Sequence, residues 1–293
     1  MKTRVSASIP ITLIATMALT VSGCMHIEVG DKQFLRPDSA TGYQSSARVT
    51  LADLQKVNSA VSINEISITS TGQTKLEGLS FQLPGSQVSV LYFGGNLSHV
   101  DNSIPYALAN LGRCNINLTT VDYRGYGRTA GVPDTPTLQQ DALAVYDAVR
   151  AKTSGKLVVH GHSLGSFIAG YIAQQRQPDG IILETTASTV EEVVAASTPW
   201  YALPFVRFSF QPGILSVDNV KAMSSYTGPA LVITAEKDVQ TPAALGKKVF
   251  DAIPSKNKKH LFIKDAGHSG LLRREDVQQA YCEYIRDVAR QAD

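Results

Sequence analysis

The chain has 293 residues, of which 43% are apolar and 18% are charged, and its formal net charge is +2 at neutral pH. This length suits one large globular domain or two small ones. The sequence carries no internal repeat, heptad run or low-complexity tract, and no block of like charges marks a nucleic-acid surface. We therefore expect a globular protein with no nucleic-acid partner.

The first residues have the pattern of an export signal. Lys2 and Arg4 give a basic start, and a mostly apolar stretch follows at residues 9–21. That stretch is too short to cross a bilayer, because a transmembrane helix needs about 20 apolar residues. We interpret it as the apolar region of a secretory signal peptide.

The signal ends in Val-Ser-Gly-Cys at residues 21–24, which resembles the lipobox of bacterial lipoproteins. The resemblance implies a signal peptide at 1–23 and lipidation of Cys24, which would anchor the protein in the membrane of the bacterial cell envelope. The outer membrane is favoured over the inner one because Met25, and not an aspartate, follows the cysteine. The alternative is an ordinary signal peptide that is cut nearby, with Cys24 incidental.

The rest of the chain divides into a polar segment and a patterned domain. Residues 24–60 give few signals and are interpreted as a tether and lead-in to a domain at 61–293. In this domain, two apolar runs around a turn at 71–73 predict an antiparallel hairpin at a sheet edge. Six later runs, separated by helical patterns, predict buried parallel strands. The expected fold class is α/β, with a mostly parallel eight-stranded sheet covered by helices on both faces.

Residues 161–165, Gly-His-Ser-Leu-Gly, lie where a predicted strand meets a predicted helix. A G-x-S-x-G motif in this context is typical of a nucleophile elbow, a sharp turn that holds a serine hydroxyl above the sheet. The flanking glycines are needed because the helix packs closely against the strand. Ser163 is therefore the candidate nucleophile.

A serine nucleophile needs a base, and the base needs an acid that orients it. The chain order in this type of site is serine, acid, histidine. Only His260 and His268 follow Ser163, and we prefer His268 because it lies just past the end of the last predicted strand. Asp238, a few residues after the preceding strand, is the preferred acid, and Glu184 is the alternative.

Three more segments resemble parts of α/β-hydrolases. Residues 92–99 resemble the loop that supplies half of the oxyanion hole, 121–133 resemble the Asp-x-Arg-Gly-x-Gly stretch, and 265–270 resemble the histidine loop. Together with the elbow, they make nearly all of residues 60–290 similar to an α/β-hydrolase with a short lid. The branch that it resembles contains esterases and lysophospholipase-like enzymes.

The resemblance implies a serine hydrolase that cleaves carboxylic ester or thioester bonds through an acyl-enzyme on Ser163. Asp238 and His268 would complete the triad, and neither a metal nor a cofactor is expected. By alignment, the oxyanion donors are the backbone N–H groups of Asn96 and Leu164. Many relatives have His-Gly where this chain has Gly-Gly-Asn, but backbone donors do not depend on that side chain. The expected substrate is a small-molecule ester or a lipid.

Residues 187–229 form the expected lid between two strands. Two interpretations remain open for its aromatic side chains: they line an apolar substrate pocket, or they pack the lid onto the domain. The candidates for the pocket are Trp200, Tyr201, Phe205 and Phe208.

The resemblance also places Cys114 and Cys282 on neighbouring helices of one sheet face. Outside the cytoplasm such a pair is expected to form a disulfide, and two buried free thiols are the alternative.

For the function, the alternatives are a non-catalytic envelope lipoprotein that uses this scaffold for binding, and a peptidase or amidase of the same fold. The presence of nucleophile, acid and base in the expected order favours an esterase.

Overall fold

The structure is a computed structural model that describes residues 25–44 and 47–291. The expected signal peptide at 1–23 and the lipidation site Cys24 lie outside the described residues. Within the described ranges, no helix combines the length and the apolar character that a membrane span requires.

Strands and helices alternate along most of the described chain. The strands are β1 (Met25–Val29), β2 (Ser62–Thr69), β3 (Lys75–Gln82), β4 (Val88–Phe93), β5 (Ile116–Val121), β6 (Lys156–His162), β7 (Gly180–Glu184), β8 (Val206–Phe210), β9 (Ala230–Ala235) and β10 (Lys258–Ile263). The α-helices are α1 (Asp31–Phe34), α2 (Asp38–Thr41), α3 (Leu51–Gln55), α4 (Val100–Leu111), α5 (Thr135–Lys152), α6 (Leu164–Arg176), α7 (Val190–Ser197), α8 (Pro212–Leu215), α9 (Asn219–Met223), α10 (Ala243–Ala252) and α11 (Glu275–Ala289).

The central sheet has eight strands in the order β10-β9-β7-β6-β4-β5-β3-β2. Neighbouring strands are parallel except for β2 with β3 and β3 with β5, which are antiparallel. The β2–β3 hairpin turns at residues 71–73 and lies at the sheet edge, as the sequence predicts. The α/β fold class with a mostly parallel eight-stranded sheet is thus confirmed.

The middle strands are mostly apolar because helices cover both faces of the sheet. Every residue of β7 and of β9 is buried. One face packs against α4 and α11, and the other packs against α5, α6 and α10. Full burial of a single valine, leucine or isoleucine side chain contributes about 1.5–3 kcal/mol, so these two layers account for most of the driving force for folding.

A disulfide joins the two helices on the first face. Cys114 ends the short turn that follows α4, and Cys282 lies on α11. Their Cα atoms are 4.8 Å apart and the two sulfur atoms are bonded. The cross-link connects positions 168 residues apart in the sequence.

The region between β7 and β9, which includes the expected lid at 187–229, contains α7, β8, α8 and α9. Strand β8 lies outside the central sheet and pairs in parallel with β1 from the amino-terminal segment. The Lys248 ammonium on α10 contacts the Glu192 carboxylate on α7 at 2.9 Å, which ties this region to the main domain.

Residues 25–44 do not form the tether that their polar composition indicates. Besides the pairing of β1, Leu35 is buried, and the Asp31 carboxylate accepts a hydrogen bond from the backbone N–H of Thr135 at 2.9 Å. The Asp38 carboxylate contacts the imidazole of the buried His99 at 2.8 Å. The apolar residues of this segment are too few to show a periodic pattern, so its attachment depends on contacts with distant parts of the chain.

Candidate active site

Ser163 occupies the sharp turn between β6 and α6. Its backbone has φ 52° and ψ −116°, a strained conformation, and its N–H donates to the Glu184 carbonyl at 2.9 Å. The flanking glycines allow this turn because there is no room for a side chain. A Cβ at Gly161 would meet the carbonyl oxygen of Gly165, and a Cβ at Gly165 would meet the carbonyl oxygen of Phe93.

The structure brings Ser163, His268 and Asp238 together in one hydrogen-bonded chain. The His268 Nε2 atom lies 2.9 Å from the Ser163 hydroxyl oxygen. On its other side, His268 Nδ1 lies 2.9 Å from Asp238 Oδ2 and 3.0 Å from Oδ1. The three residues come from loops that follow β6, β10 and β9, which all end at the same edge of the sheet.

Asp238 is buried, and its carboxylate is surrounded by donors. Oδ1 accepts hydrogen bonds from the backbone N–H groups of Gln240 and Thr241, both at 2.9 Å, and the Thr241 hydroxyl lies 2.8 Å from Oδ2. Burial opposes ionisation, but the bonds from His268 and Thr241 outweigh it and hold the pKa of Asp238 below its usual value. Asp238 is therefore ionised at neutral pH and fixed in position to accept a hydrogen bond from the Nδ1–H of His268.

The alternative acid, Glu184, and the alternative base, His260, have side-chain partners outside the triad. Glu184 is fully buried, but its carboxylate contacts His160 Nε2 at 3.1 Å and not His268. Burial opposes its ionisation, yet the neighbouring His162 and His160 lower its pKa. His260 is on β10, where its Nε2 lies 2.8 Å from the Thr234 hydroxyl. Neither side chain forms a hydrogen bond with the Ser163 hydroxyl.

The loop that carries the expected oxyanion donor is held by the amino-terminal segment. Asn96 Oδ1 accepts from the backbone N–H of Arg36 and from the Tyr126 hydroxyl, both at 2.8 Å. Asn96 Nδ2 donates to the Phe34 carbonyl at 2.5 Å. Sequence reasoning missed this role of residues 34–36, since the polar stretch around them carries no motif that links it to position 96.

Ser163 opens into a cavity of about 530 Å³ that also has Asn96 and Leu164 in its wall. Leu164 is the first residue of α6, so its N–H points away from the helix and the positive end of the helix dipole faces the cavity. The remaining wall is mainly aliphatic and aromatic, and most of it comes from the amino-terminal segment and the lid. The apolar members of this wall are Ile27, Val29, Phe34, Phe167, Val190, Val193, Val194 and Phe208.

Of the four aromatic residues expected in the pocket, only Phe208 lines this cavity. Trp200 is 81% exposed, and Tyr201 and Phe205 are each 64% exposed, so these three neither line the pocket nor pack the lid onto the domain. The prediction was wrong for them because sequence alone does not show that the segment before β8 is exposed, whereas Phe208 on β8 lines the cavity.

A second, more polar cavity of about 540 Å³ lies next to the triad. Its wall includes His162 and Ser269, the sequence neighbours of Ser163 and His268, together with Ser98, Asn102 and Arg273. The His162 imidazole is half-buried, and burial lowers its pKa, so the ring is neutral at physiological pH. Among the described residues, no group of three or more His, Cys, Asp or Glu side chains is arranged to hold a metal ion.

Comparison with known proteins gives partial matches. A family model described as "Serine aminopeptidase, S33" matches residues 86–214, which include the oxyanion loop and the elbow but neither Asp238 nor His268. The chain is 28% identical over 190 residues to an uncharacterized protein of Mycobacterium tuberculosis, a match that covers 63% of this chain and 64% of that protein.

A second relative is the lysophosphatidylserine lipase ABHD12 of Xenopus tropicalis. It is 30% identical over 201 residues, which make up 60% of this chain and 51% of the lipase. The chain thus spans less than two thirds of the length of either relative.

A solved structure supports the assignment of the fold over most of the chain. An esterase of Pyrococcus furiosus superimposes with a TM-score of 0.64 at 16% sequence identity, covering 83% of this chain and 99% of the esterase. The eight-stranded sheet, its helices on both faces and the serine elbow at the end of β6 agree with this likeness. The chain therefore has the α/β-hydrolase fold.

Proposed function

We propose that the protein is a serine hydrolase that cleaves carboxylic esters, with Ser163 as nucleophile, His268 as base and Asp238 as the group that orients the base. The observation that carries the proposal is the continuous contact from the Ser163 hydroxyl through His268 to Asp238, at the mouth of an apolar cavity. All three groups lie within the distances that proton transfer requires.

The reaction would proceed in two halves. His268 Nε2 takes the proton of the Ser163 hydroxyl as its oxygen attacks the carbonyl carbon, and Asp238 stabilises the imidazolium that forms. The N–H groups of Asn96 and Leu164 stabilise the negative oxygen of the tetrahedral intermediate. His268 then protonates the leaving alcohol, and a water molecule hydrolyses the acyl-enzyme by the same route. The nucleophile, the base, the orienting acid and the oxyanion donors in this scheme are all groups of this chain.

The two cavities support an ester with an apolar acyl chain and a polar alcohol. The wall of aliphatic and aromatic residues beside Ser163 suits an acyl chain. The polar cavity beside His162 suits the alcohol part. A monoacyl lipid has both parts, and the name of the relative ABHD12, a lysophosphatidylserine lipase, points to the same class.

An ester is favoured over a peptide substrate by the composition of the cavity beside Ser163. An aminopeptidase must bind the positively charged amino group of its substrate, for which a carboxylate is the usual partner. The cavity wall contains no aspartate or glutamate among the described residues, and its only charged side chain is Arg36. We propose esterase activity even though the matching family model is named after an aminopeptidase.

We also propose that the protein is exported and anchored in the bacterial envelope through Cys24. This proposal rests on the residues before and around position 24 in the sequence. Replacing Cys24 by serine is expected to prevent labelling of the chain with a radioactive fatty acid in growing bacteria, and labelling of that variant would contradict the proposal.

The first experiment is labelling of the full chain with a fluorophosphonate probe, which reacts with activated serines. Labelling is expected for the native protein and is expected to be absent in Ser163→Ala and His268→Ala. Hydrolysis of p-nitrophenyl butyrate is expected to fall by about 10⁴-fold or more in Asp238→Asn. Asp251→Asn is the matched control, because its exposed carboxylate pairs with Lys247 on α10 and contacts no member of the triad.

A second set of substrates separates the alternatives. The rate with p-nitrophenyl esters is expected to rise with acyl length from acetate to octanoate, and an aminoacyl p-nitroanilide is expected to be a poor substrate. A faster reaction with the anilide would favour a peptidase. A folded native chain that neither takes up the probe nor hydrolyses any of these compounds would favour a non-catalytic binding protein.

A further inference from the structure

The segment between α7 and β8 carries an unusual group of exposed apolar side chains. Trp200, Tyr201, Leu203 and Phe205 all lie within residues 199–205, which we call the aromatic tip. Backbone hydrogen bonds from Ala202 to the Pro199 carbonyl and from Phe205 to the Ala202 carbonyl fold the tip into two consecutive turns. The rings of Trp200 and Tyr201 pack edge to face, with centroids 6.0 Å apart. Isolated exposed apolar residues are common, but four in one compact segment mark a surface that binds something.

The stretch of sequence that contains the aromatic tip carries almost no charge. Between residues 193 and 217, Arg207 is the only charged residue. A surface that docks onto another protein usually has a polar rim with charges of both signs. Tryptophan and tyrosine without nearby carboxylates are instead typical of the interface between a bilayer and water.

The described chain begins beside the aromatic tip. Strand β1 pairs in parallel register with β8, so that Met25 lies opposite Val206, the residue that follows Phe205. Met25 is itself 62% exposed. The residue that precedes Met25 is Cys24, the proposed site of the lipid anchor, so an acyl group on Cys24 would start next to the aromatic tip.

The same two strands lead from the tip to the candidate active site. Ile27 on β1 lies opposite Phe208 on β8, and both side chains line the cavity that contains Ser163. A strand advances about 3.3 Å per residue, so Phe208 is only about 10 Å along the chain from Phe205.

We propose that the aromatic tip, together with Met25, is the surface by which the protein docks onto a lipid bilayer. The anchor and the tip then attach to the membrane at the same place, and the alternate apolar residues of β1 and β8 connect this place with the cavity of Ser163. A lipid ester can pass from the bilayer to the nucleophile along an apolar surface.

The test uses the fact that Trp200 is the only tryptophan in the chain. The full-length protein is reconstituted into phosphatidylcholine vesicles, and the vesicle-bound fraction is isolated by flotation. The tryptophan emission of this fraction is expected at shorter wavelength than that of the chain with Cys24→Ser in buffer without vesicles. Phosphatidylcholine with brominated acyl chains is expected to quench the emission, because bromine atoms quench only rings that reach the acyl region.

A matched control moves the tryptophan to the opposite end of the molecule. Val57 is half-exposed and lies shortly before Ser62, which pairs with Gln82 at the end of the sheet far from Ser163. In the double variant Trp200→Phe with Val57→Trp, the vesicle-bound protein is expected to show neither the shift nor the quenching.

Three results would overturn the proposal. The first is a vesicle-bound native chain whose Trp200 emission is not quenched, and the second is a full-length chain that does not float with the vesicles. The third is a blue-shifted, concentration-dependent emission without vesicles, which would mean that a second copy of the chain covers the tip.

Replacing Trp200 and Phe205 by alanine is expected to lower the vesicle partition coefficient of the chain with Cys24→Ser by about tenfold or more. All these readouts are independent of hydrolysis, so they stand or fall separately from the proposed esterase activity.

Discussion

Replacement of Asn96 by alanine tests how the proposed oxyanion hole is held in place. The substitution leaves the backbone N–H at position 96 intact but removes a side chain that makes three hydrogen bonds. These bonds are accepted from Arg36 and Tyr126 and donated to Phe34. The segment around residues 34–36 thereby loses its direct polar link to the loop after β4.

The expected losses in the free energy of unfolding and in kcat follow from these three hydrogen bonds and from the role of the Asn96 N–H group. Each half-buried hydrogen bond contributes about 0.5–1.5 kcal/mol, so the free energy of unfolding is expected to fall by about 3 kcal/mol. Loss of one oxyanion donor typically lowers kcat by about 10²–10³-fold, and a displaced N–H at position 96 is expected to lower kcat by about 100-fold. KM is expected to change little, because the donor acts on the transition state more than on the bound ester.

The assay measures kcat and KM with p-nitrophenyl butyrate, together with urea unfolding of the same preparations. Asn117→Ala is the matched control, since Asn117 Oδ1 accepts a hydrogen bond from the Leu83 N–H at 3.0 Å on β5, away from Ser163. This control is expected to lose stability and to keep its kcat. If Asn96→Ala loses stability as expected but keeps kcat within about threefold, the side chain supports only the fold and the reasoning about the oxyanion loop is refuted.

Three more predictions concern the cavity, the disulfide and the acid of the triad. Phe208→Ala is expected to lower kcat/KM for a p-nitrophenyl octanoate by about tenfold and to leave the acetate ester unaffected, and equal losses for both esters would contradict an acyl site at this residue. Replacing Cys114 and Cys282 by serine opens a loop of 168 residues, so the free energy of unfolding in urea is expected to fall by about 3–5 kcal/mol, and an unchanged midpoint would show that the cross-link is not formed. The pKa of Asp238 is held below its ordinary value of 3.8, so its ionised form stabilises the fold above that value and this contribution is lost as the pH falls through the depressed pKa. The difference in free energy of unfolding between the native chain and Asp238→Asn is therefore expected to shrink on acidification below about pH 4, and a difference that grows would contradict the shift.

Local patterns in the sequence were sufficient to predict the sheet. A parallel strand that is covered on both faces must be mostly apolar, as β7 and β9 are, and this requirement is visible without any knowledge of neighbours. The elbow is also a local feature, because Gly161 and Gly165 are required by close contacts within a few residues and with the adjacent strand. The order of candidate nucleophile, acid and base followed from positions just after strand ends, where parallel strands meet at one edge.

Contacts between distant segments decided the rest. Sequence did not show whether Asp238 or Glu184 faces His268, since Glu184 ends one buried strand and Asp238 follows the next one in the chain. Only the tertiary structure sets Glu184 against His160. Nor did it separate Phe208, which lines the cavity, from Trp200, which is exposed, because both belong to one apolar run.

The amino-terminal segment shows most clearly what the tertiary structure adds. Residues 25–44 are polar on average, and their few apolar side chains have no periodicity that predicts a partner. Pairing with β8 and hydrogen bonds to Asn96, His99 and Thr135, which lie 60 or more residues away along the chain, attach this segment to the domain. The sequence by itself determined the strands, the turn and the reactive residue types, because these depend on neighbours in the chain. The walls of the cavity, the support of the oxyanion loop and the exposed aromatic tip were decided only by which distant surfaces pack together.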